Sequence, residues 1–174
     1  MSKTIVLYRS KSGFTQKYAQ WIAAATGAEL ADARPMKPND LMKYDTIVFG
    51  SALYASGING LGLITKNFEQ LKDKKLIVFT LGATPVRPEI YEEVKNINLT
   101  EEQQKHIEFF MLRGGFDYSK LTIIDKLLMI LMKIKLKSRK KPSADERGML
   151  AAYTHPVDFT NEKYIAPIVE AIKR

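Results

Sequence analysis

The chain of 174 residues contains no cysteine, so disulfides, thiolate metal sites and cysteine nucleophiles are excluded at the outset. Histidine is almost as scarce. His106 and His155 are the only two, and they lie far apart in sequence. His106 falls in a polar, Glu/Gln-rich stretch and His155 precedes Pro156, so both read as solvated rather than as bases or metal ligands. No paired carboxylates of the kind that hydrolases use stand out, and there are no internal repeats or low-complexity tracts. No apolar run reaches the ~20 residues that a bilayer-spanning helix requires. A strand pattern begins almost at the first residue, which leaves no room for a signal peptide and makes a cytoplasmic location the expectation.

What remains is the composition of an ordinary globular protein, with 45% hydrophobic and 26% charged residues, and a length that suits a single domain over 1–174. The charge is distributed less ordinarily. Of a net +8, the stretch Lys120–Lys141 carries eight Lys/Arg against Asp125 alone, hence +7, and the rest carries 19 basic and 18 acidic residues, hence +1. A nearly neutral chain therefore has one basic module built into it.

Short apolar runs alternate with helical patterns. Lys3–Tyr8, Ala28–Ala33, Asp45–Gly50, Lys75–Thr80 and Ile107–Leu112 read as strands, the first as a continuous apolar run typical of a buried parallel strand. Phe14–Thr26, Leu61–Leu71, Glu89–Lys95, a turn at Glu101–His106 and a last helix over Asn161–Ile172 read as helical, with Thr160 as N-cap and Pro167 as an irregularity. Alternation of this kind predicts right-handed crossovers and a doubly wound parallel sheet. Ligands in such sheets sit beyond the carboxyl ends of the strands, at the switch point. The loops after the first, third and fourth strands all emerge there.

The first of those loops is Ser10-Lys11-Ser12-Gly13-Phe14-Thr15. A strand, a hydroxyl-rich turn and a helix N-terminus in that order make an anion site, because backbone N–H groups, the helix dipole and hydroxyl donors converge. The spacing is neither a Walker A motif nor G-x-G-x-x-G, which argues against nucleoside triphosphates and dinucleotides. Ser10, Ser12, Gly13 and Thr15 resemble the S/T-x-S/T-G-x-T phosphate loop of flavodoxins. That resemblance implies FMN as cofactor, and a flavodoxin-like α/β fold with a five-stranded parallel sheet in the order 2-1-3-4-5. It also implies that Ser10–Thr15 hold the phosphate. Ala52, Leu53, Tyr54 and Ala55 would then flank one side of the isoalloxazine, Tyr54 by stacking, with Leu81, Gly82, Ala83 and Thr84 as the other wall. Flavodoxins commonly carry an aromatic in this second wall; its absence here implies a more open flavin face.

The segment 116–153 separates the fifth strand from the last helix and reads as a basic, apolar helical insert. Within Leu121–Leu136, residues Thr122, Lys126, Lys133, Lys137 and Lys140 or Lys141 share one side of a helical wheel, and the other side is apolar. These sixteen residues would span about 24 Å, too short to cross a bilayer. The pattern matches a helix lying in a membrane interface over the 121–141 segment. Packing on the protein's own core or in a homodimer is the alternative, and so broad an apolar face argues against nucleic acid.

With the insert included, the chain resembles the flavodoxin-fold, menaquinone-dependent protoporphyrinogen oxidases and their flavodoxin-domain relatives. The loop at Ser10–Thr15, the run Gly50-Ser51-Ala52-Leu53-Tyr54, and the Asp125–Lys133 stretch ahead of Lys141–Glu146 carry the likeness. It implies oxidation of protoporphyrinogen IX, electron delivery to a membrane quinone, and peripheral attachment to the inner face of the cell membrane. Two other readings stand beside it. One is an FMN electron carrier without a substrate of its own, against which the lone +7 module argues; the other is a binding module with a vestigial flavin site.

Overall fold

The computed structural model describes residues 2–54, 56–121, 123–138 and 143–174. Ala55 of the expected flavin loop, and Thr122, Lys140 and Lys141 of the expected lysine side, lie outside the described residues. Five parallel strands form the sheet: β1 (Thr4–Arg9), β2 (Glu29–Asp32), β3 (Thr46–Tyr54), β4 (Lys75–Gly82) and β5 (Ile107–Arg113). Their order is β2-β1-β3-β4-β5, the flavodoxin-like winding expected from the sequence.

Alternation along the strands divides the core between the two faces of the sheet. Ile5, Leu7, Ile47, Phe49, Leu76 and Val78 point to one face, where Leu41, Ile64, Leu71 and Val94 cover them. Val6, Val48, Ile77 and Phe79 point to the other. There they meet Tyr18, Ala19 and Ile22 of α1 (Phe14–Thr26), and Ile168 and Ala171 of the C-terminal helix Ala166–Lys173. Burial on both faces explains why these strands read as continuous apolar runs.

Several elements differ from the expected ones for identifiable reasons. The third strand does not stop at Gly50 but runs on to Tyr54, because Ser51 and Ala52 continue the pairing with Thr80 and Leu81. Leu53 and Tyr54 then turn back in a hairpin onto Ile58 and Gly57. The expected helix over Leu61–Leu71 is two single turns, Gly62–Thr65 and Phe68–Leu71, separated at Asn67, whose side chain donates back to the Leu63 carbonyl at 3.0 Å. The last helix opens as a 3-10 turn, Glu162–Ile165, capped by Asn161 rather than Thr160. Its α-helical part begins at Ala166 with Pro167 in the first turn, where a missing N–H costs nothing. The turn at Glu101–His106 forms behind a capping box, in which Thr100 and Gln103 exchange side-chain and backbone bonds.

The segment after β5 leaves and returns through a two-stranded antiparallel ribbon, Gly115–Phe116 against Val157–Asp158. Helix α1 holds this neck. Lys17 donates to Asp158 at 3.0 Å and to Thr160 at 2.8 Å. Tyr18 donates to the Arg113 carbonyl at 2.8 Å and accepts from the Asn161 N–H at 3.1 Å. At Gly115 even a methyl group would collide with the Phe14 ring, since a Cβ there would stand 2.5 Å from Cζ. The neck thus rests on the residue that closes the phosphate loop. Beyond it lie two helices, Ile123–Lys137 and Ala144–Ala152. Tyr153 joins them to the neck, with its ring 6.0 Å from Phe116 and 5.3 Å from Tyr118, and its hydroxyl bonded to the Met129 carbonyl at 2.7 Å.

The wholly buried Phe79 faces α1 from the middle of the sheet. Phe79→Ala is expected to lower stability by about 3–5 kcal/mol, read as a fall in the urea midpoint at unchanged m-value.

Candidate functional site

β1, β3 and β4 end at one edge. Arg9 lies beside Ser51, and Ser51 beside Thr80. Two hydroxyls tie these ends together: Ser51 donates to the Arg9 carbonyl at 3.2 Å, and Thr80 to the Ser51 carbonyl at 2.9 Å. Both are fully buried, so the bonds are shielded from competing water and hold the three following loops in fixed relation.

In the first loop Gly13 takes the left-handed conformation, φ 94°, which a side chain would disfavour. Its N–H donates to Ser10 Oγ at 3.0 Å, curling the chain just before α1. No side chain caps α1 and its first turn contains no acid. The N–H groups of that turn therefore lack helical acceptors and the positive end of the dipole is uncompensated. Nothing lies within 4 Å of the space beside Gly13 where a Cβ would stand. An open, uncapped, hydroxyl-lined helix N-terminus has the donor set and the room that a terminal phosphate needs. Thr15 is buried in the first turn and Phe14 packs on the α1 side of the core, so these two shape the loop from behind.

The second and third loops close on each other. The position of the Cβ that Gly82 lacks lies 3.7 Å from Leu53 Cδ1 and 3.9 Å from Thr84 Oγ1. The Gly82 carbonyl accepts from the Gly114 N–H at 2.8 Å, which anchors this loop to the end of β5. Ala83 and Thr84 are exposed. The hairpin that carries Tyr54 is held from below by Asn98, which accepts from the Ile58 N–H at 2.8 Å and donates to the Ser56 carbonyl at 2.7 Å. That clamp satisfies a turn in which Ser56 has φ 67°.

Tyr54 is 46% exposed, and its hydroxyl donates to Asp125 of the insert at 2.8 Å. The hydrogen bond to Asp125, reinforced by desolvation and by the carboxylate charge, raises the phenol above its ordinary pKa. Lys11 donates to the same carboxylate at 2.9 Å, and its ammonium stands 4.9 Å from the centre of the Tyr54 ring. Lys11, Tyr54, Gly57, Ile58, Asn59 and Asp125 line an open cleft of about 380 Å³. His106 and His155 are both exposed and neither lines the cleft.

The site residues expected from the sequence, Ala55 aside, thus lie on three strand ends and the loops that follow them, at one sheet edge, with Leu81 itself buried in the core. Two residues in the arrangement had no such expectation. Asn98 looks like any polar residue near a helix end. Asp125 carries one signal, that it is the lone acid of a basic, apolar stretch.

A doubly wound parallel sheet in the order β2-β1-β3-β4-β5, with an open, uncapped hydroxyl loop after its first strand, is the flavodoxin-like arrangement. The chain belongs to the flavodoxin-domain family, whose sequence profile matches residues 5–143. Flavodoxin domains bind FMN, and the uncapped loop at Ser10–Thr15 fits that cofactor. Among solved structures, the chain is similar to an oxidised flavodoxin from Bacillus cereus, with 22% identity over 64% of this chain and 84% of that one, TM-score 0.49. It is also similar to a flavoprotein from Bacteroides eggerthii (15% identity, 78% and 99% covered, TM-score 0.47). A third is a flavoprotein from Lactobacillus acidophilus in complex with FMN (19% identity, 65% and 93% covered, TM-score 0.41). No curated protein matches significantly.

Gly13→Val is expected to weaken FMN binding about tenfold, since a β-branched residue held in the left-handed region costs roughly 1–2 kcal/mol and the unliganded loop would relax out of the binding conformation to avoid it. Thermal stability of the apoprotein should change less, because Gly13 itself lies outside both core clusters and the unliganded turn can relax. Fluorescence titration of the apoprotein with FMN reads the effect.

Proposed function

We propose that the protein is an FMN-dependent oxidoreductase that works at a membrane surface, oxidising protoporphyrinogen IX and passing the electrons to a quinone. FMN would supply the reversible redox chemistry. The protein's part is to hold the phosphate at Ser10–Thr15, flank the ring with Ala52–Tyr54 and Leu81–Thr84, and bring the site to its substrates.

The observation that carries this reading is the insert helix Ile123–Lys137. Ile123, Leu127, Ile130, Leu131 and Ile134 are exposed, by 44 to 88%. Two residues of the lysine side, by contrast, turn toward the insert's tyrosines: Lys126 stands 5.9 Å from the Tyr118 ring and Lys133 5.1 Å from the Tyr153 ring. A solvent-facing apolar stripe on a module of net charge +7 favours an anionic lipid surface as its cover. Among the described residues no helix is long and apolar enough to cross a membrane, so the association proposed is peripheral. Protoporphyrinogen and a respiratory quinone are both largely apolar and would be met there, beside a flavin face without a second aromatic wall. Membership of the flavodoxin-domain family favours a second reading, a carrier that exchanges electrons with protein partners and has no small-molecule substrate.

Anaerobic mixing separates the two. An oxidoreductase loaded with FMN is expected to be bleached by protoporphyrinogen and recoloured by a menaquinone analogue. Bleaching by a reduced ferredoxin system alone, with porphyrinogen no faster than the uncatalysed rate, would select the carrier. Vesicle flotation tests the surface. Leu127→Ser with Leu131→Ser should abolish binding to anionic vesicles at every salt concentration, whereas Lys133→Glu with Lys137→Glu should weaken it mainly at low ionic strength. If the unaltered protein fails to float and sediments as a dimer, a second copy covers the stripe instead.

A further inference from the structure

Asp125 is an unexpected residue for its place. Ile123, Leu127, Ile130 and Leu131 of the same helix are exposed, yet Asp125 is only 4% exposed. It is also the sole acid between Lys120 and Lys141. A buried carboxylate is tolerated when its charge is matched and its lone pairs are occupied. Here the Lys11 ammonium and the Tyr54 hydroxyl do both, at 2.9 and 2.8 Å, and the first turn of the helix favours a negative charge.

The partners lie 114 and 71 residues away in sequence. One belongs to the phosphate loop and the other to the β3 hairpin, so a single carboxylate joins the insert to two of the three loops at the sheet edge. The same hub stacks Lys11 against the face of Tyr54, which fixes the orientation of the ring.

We propose that Asp125 is a positioning residue for the cofactor site, holding Lys11 and Tyr54 in place so that seating of the insert and binding at the flavin loops form one coupled equilibrium. The inference rests on the FMN reading for the identity of the ligand, but not for the coupling itself. Coupling of this kind is reciprocal. Whatever factor the seated insert adds to cofactor affinity, the bound cofactor adds to the protection of the insert. Lys11 is the shared element, since it lies in the loop that faces the phosphate while its ammonium is held by the insert.

Hydrogen exchange on the whole protein tests this, with and without FMN. In the absence of cofactor, Asp125→Ala should speed exchange about tenfold in both 123–137 and the hairpin 54–60, as expected for loss of hydrogen bonds to a charged group. Asp125→Asn keeps an acceptor for Tyr54 but none for Lys11, and should fall between. Tyr153→Phe, which loosens the insert locally through Met129, should speed 123–137 alone. FMN should slow exchange in the insert of the unaltered protein and fail to do so in Asp125→Ala, whose FMN affinity should drop by a similar factor. The alkaline absorbance step that Tyr54→Phe removes should move to lower pH in Asp125→Asn.

Faster exchange confined to 123–137 in Asp125→Ala, with the hairpin and FMN affinity unchanged, would overturn the proposal and leave Asp125 a local anchor. So would no change at all. If the unaltered protein binds no FMN, the cofactor reading fails by itself, and the two-segment response without cofactor still decides the coupling.

Discussion

The parallel pairing of β1 with β3, continued from β3 to β4, is the constraint on which the rest of the molecule depends. It places Arg9, Ser51 and Thr80 side by side at the end of the sheet, and the two buried hydroxyl bonds leave these strand ends little freedom to slide. A register shift of one residue would turn Phe49 and Phe79 out of their respective core faces. The loops inherit that rigidity. Their separation follows from the spacing of neighbouring strands, roughly 4.8 Å, rather than from contacts that the loops must find for themselves.

Much of this was legible in the sequence because it rests on short-range pattern. Continuous apolar runs identify strands buried on both faces, and the hydroxyl loop at Ser10–Thr15 announces itself by residue type and by its place before a helix. The extension of β3 through Ser51–Tyr54 was not legible. Its residues are small or amphipathic, and they become strand only because Thr80, Leu81 and Ile58 offer partners. Asp125 was hidden for a related reason: a carboxylate does not reveal from its own neighbours a lysine and a tyrosine that reach it from distant parts of the chain. Local chemistry shows in a sequence, whereas partnership across the fold does not.

The insert inverts the usual arrangement of an amphipathic helix on a domain surface. Ordinarily the apolar stripe seeks the core and the charges face water. Here Lys126 and Lys133 lie over aromatic rings of the insert itself, which cation–π attraction makes favourable, while Leu127, Leu131 and Ile134 face outward. Tyr153 makes that arrangement sturdy, since its ring is buried and its hydroxyl donates to the helix backbone at Met129. The stripe is therefore displayed by a supported element rather than by a loose one.

The ribbon at the neck has a consequence for how this protein can vary. Gly115 pairs with Asp158 and Phe116 with Val157, so everything between them is an excursion that departs and ends at one spot. Closing a longer excursion costs only about 0.6 kcal/mol for each doubling of its length. The sheet is therefore nearly indifferent to the length of what is strung beyond the neck, provided Asp125 still reaches Lys11 and Tyr54. The stretch beyond Asp125 can be lengthened or trimmed without renegotiating the folding of the sheet. Selection is then free to tailor the outlying part to a new surface, as one would change the head of a tool and keep the handle.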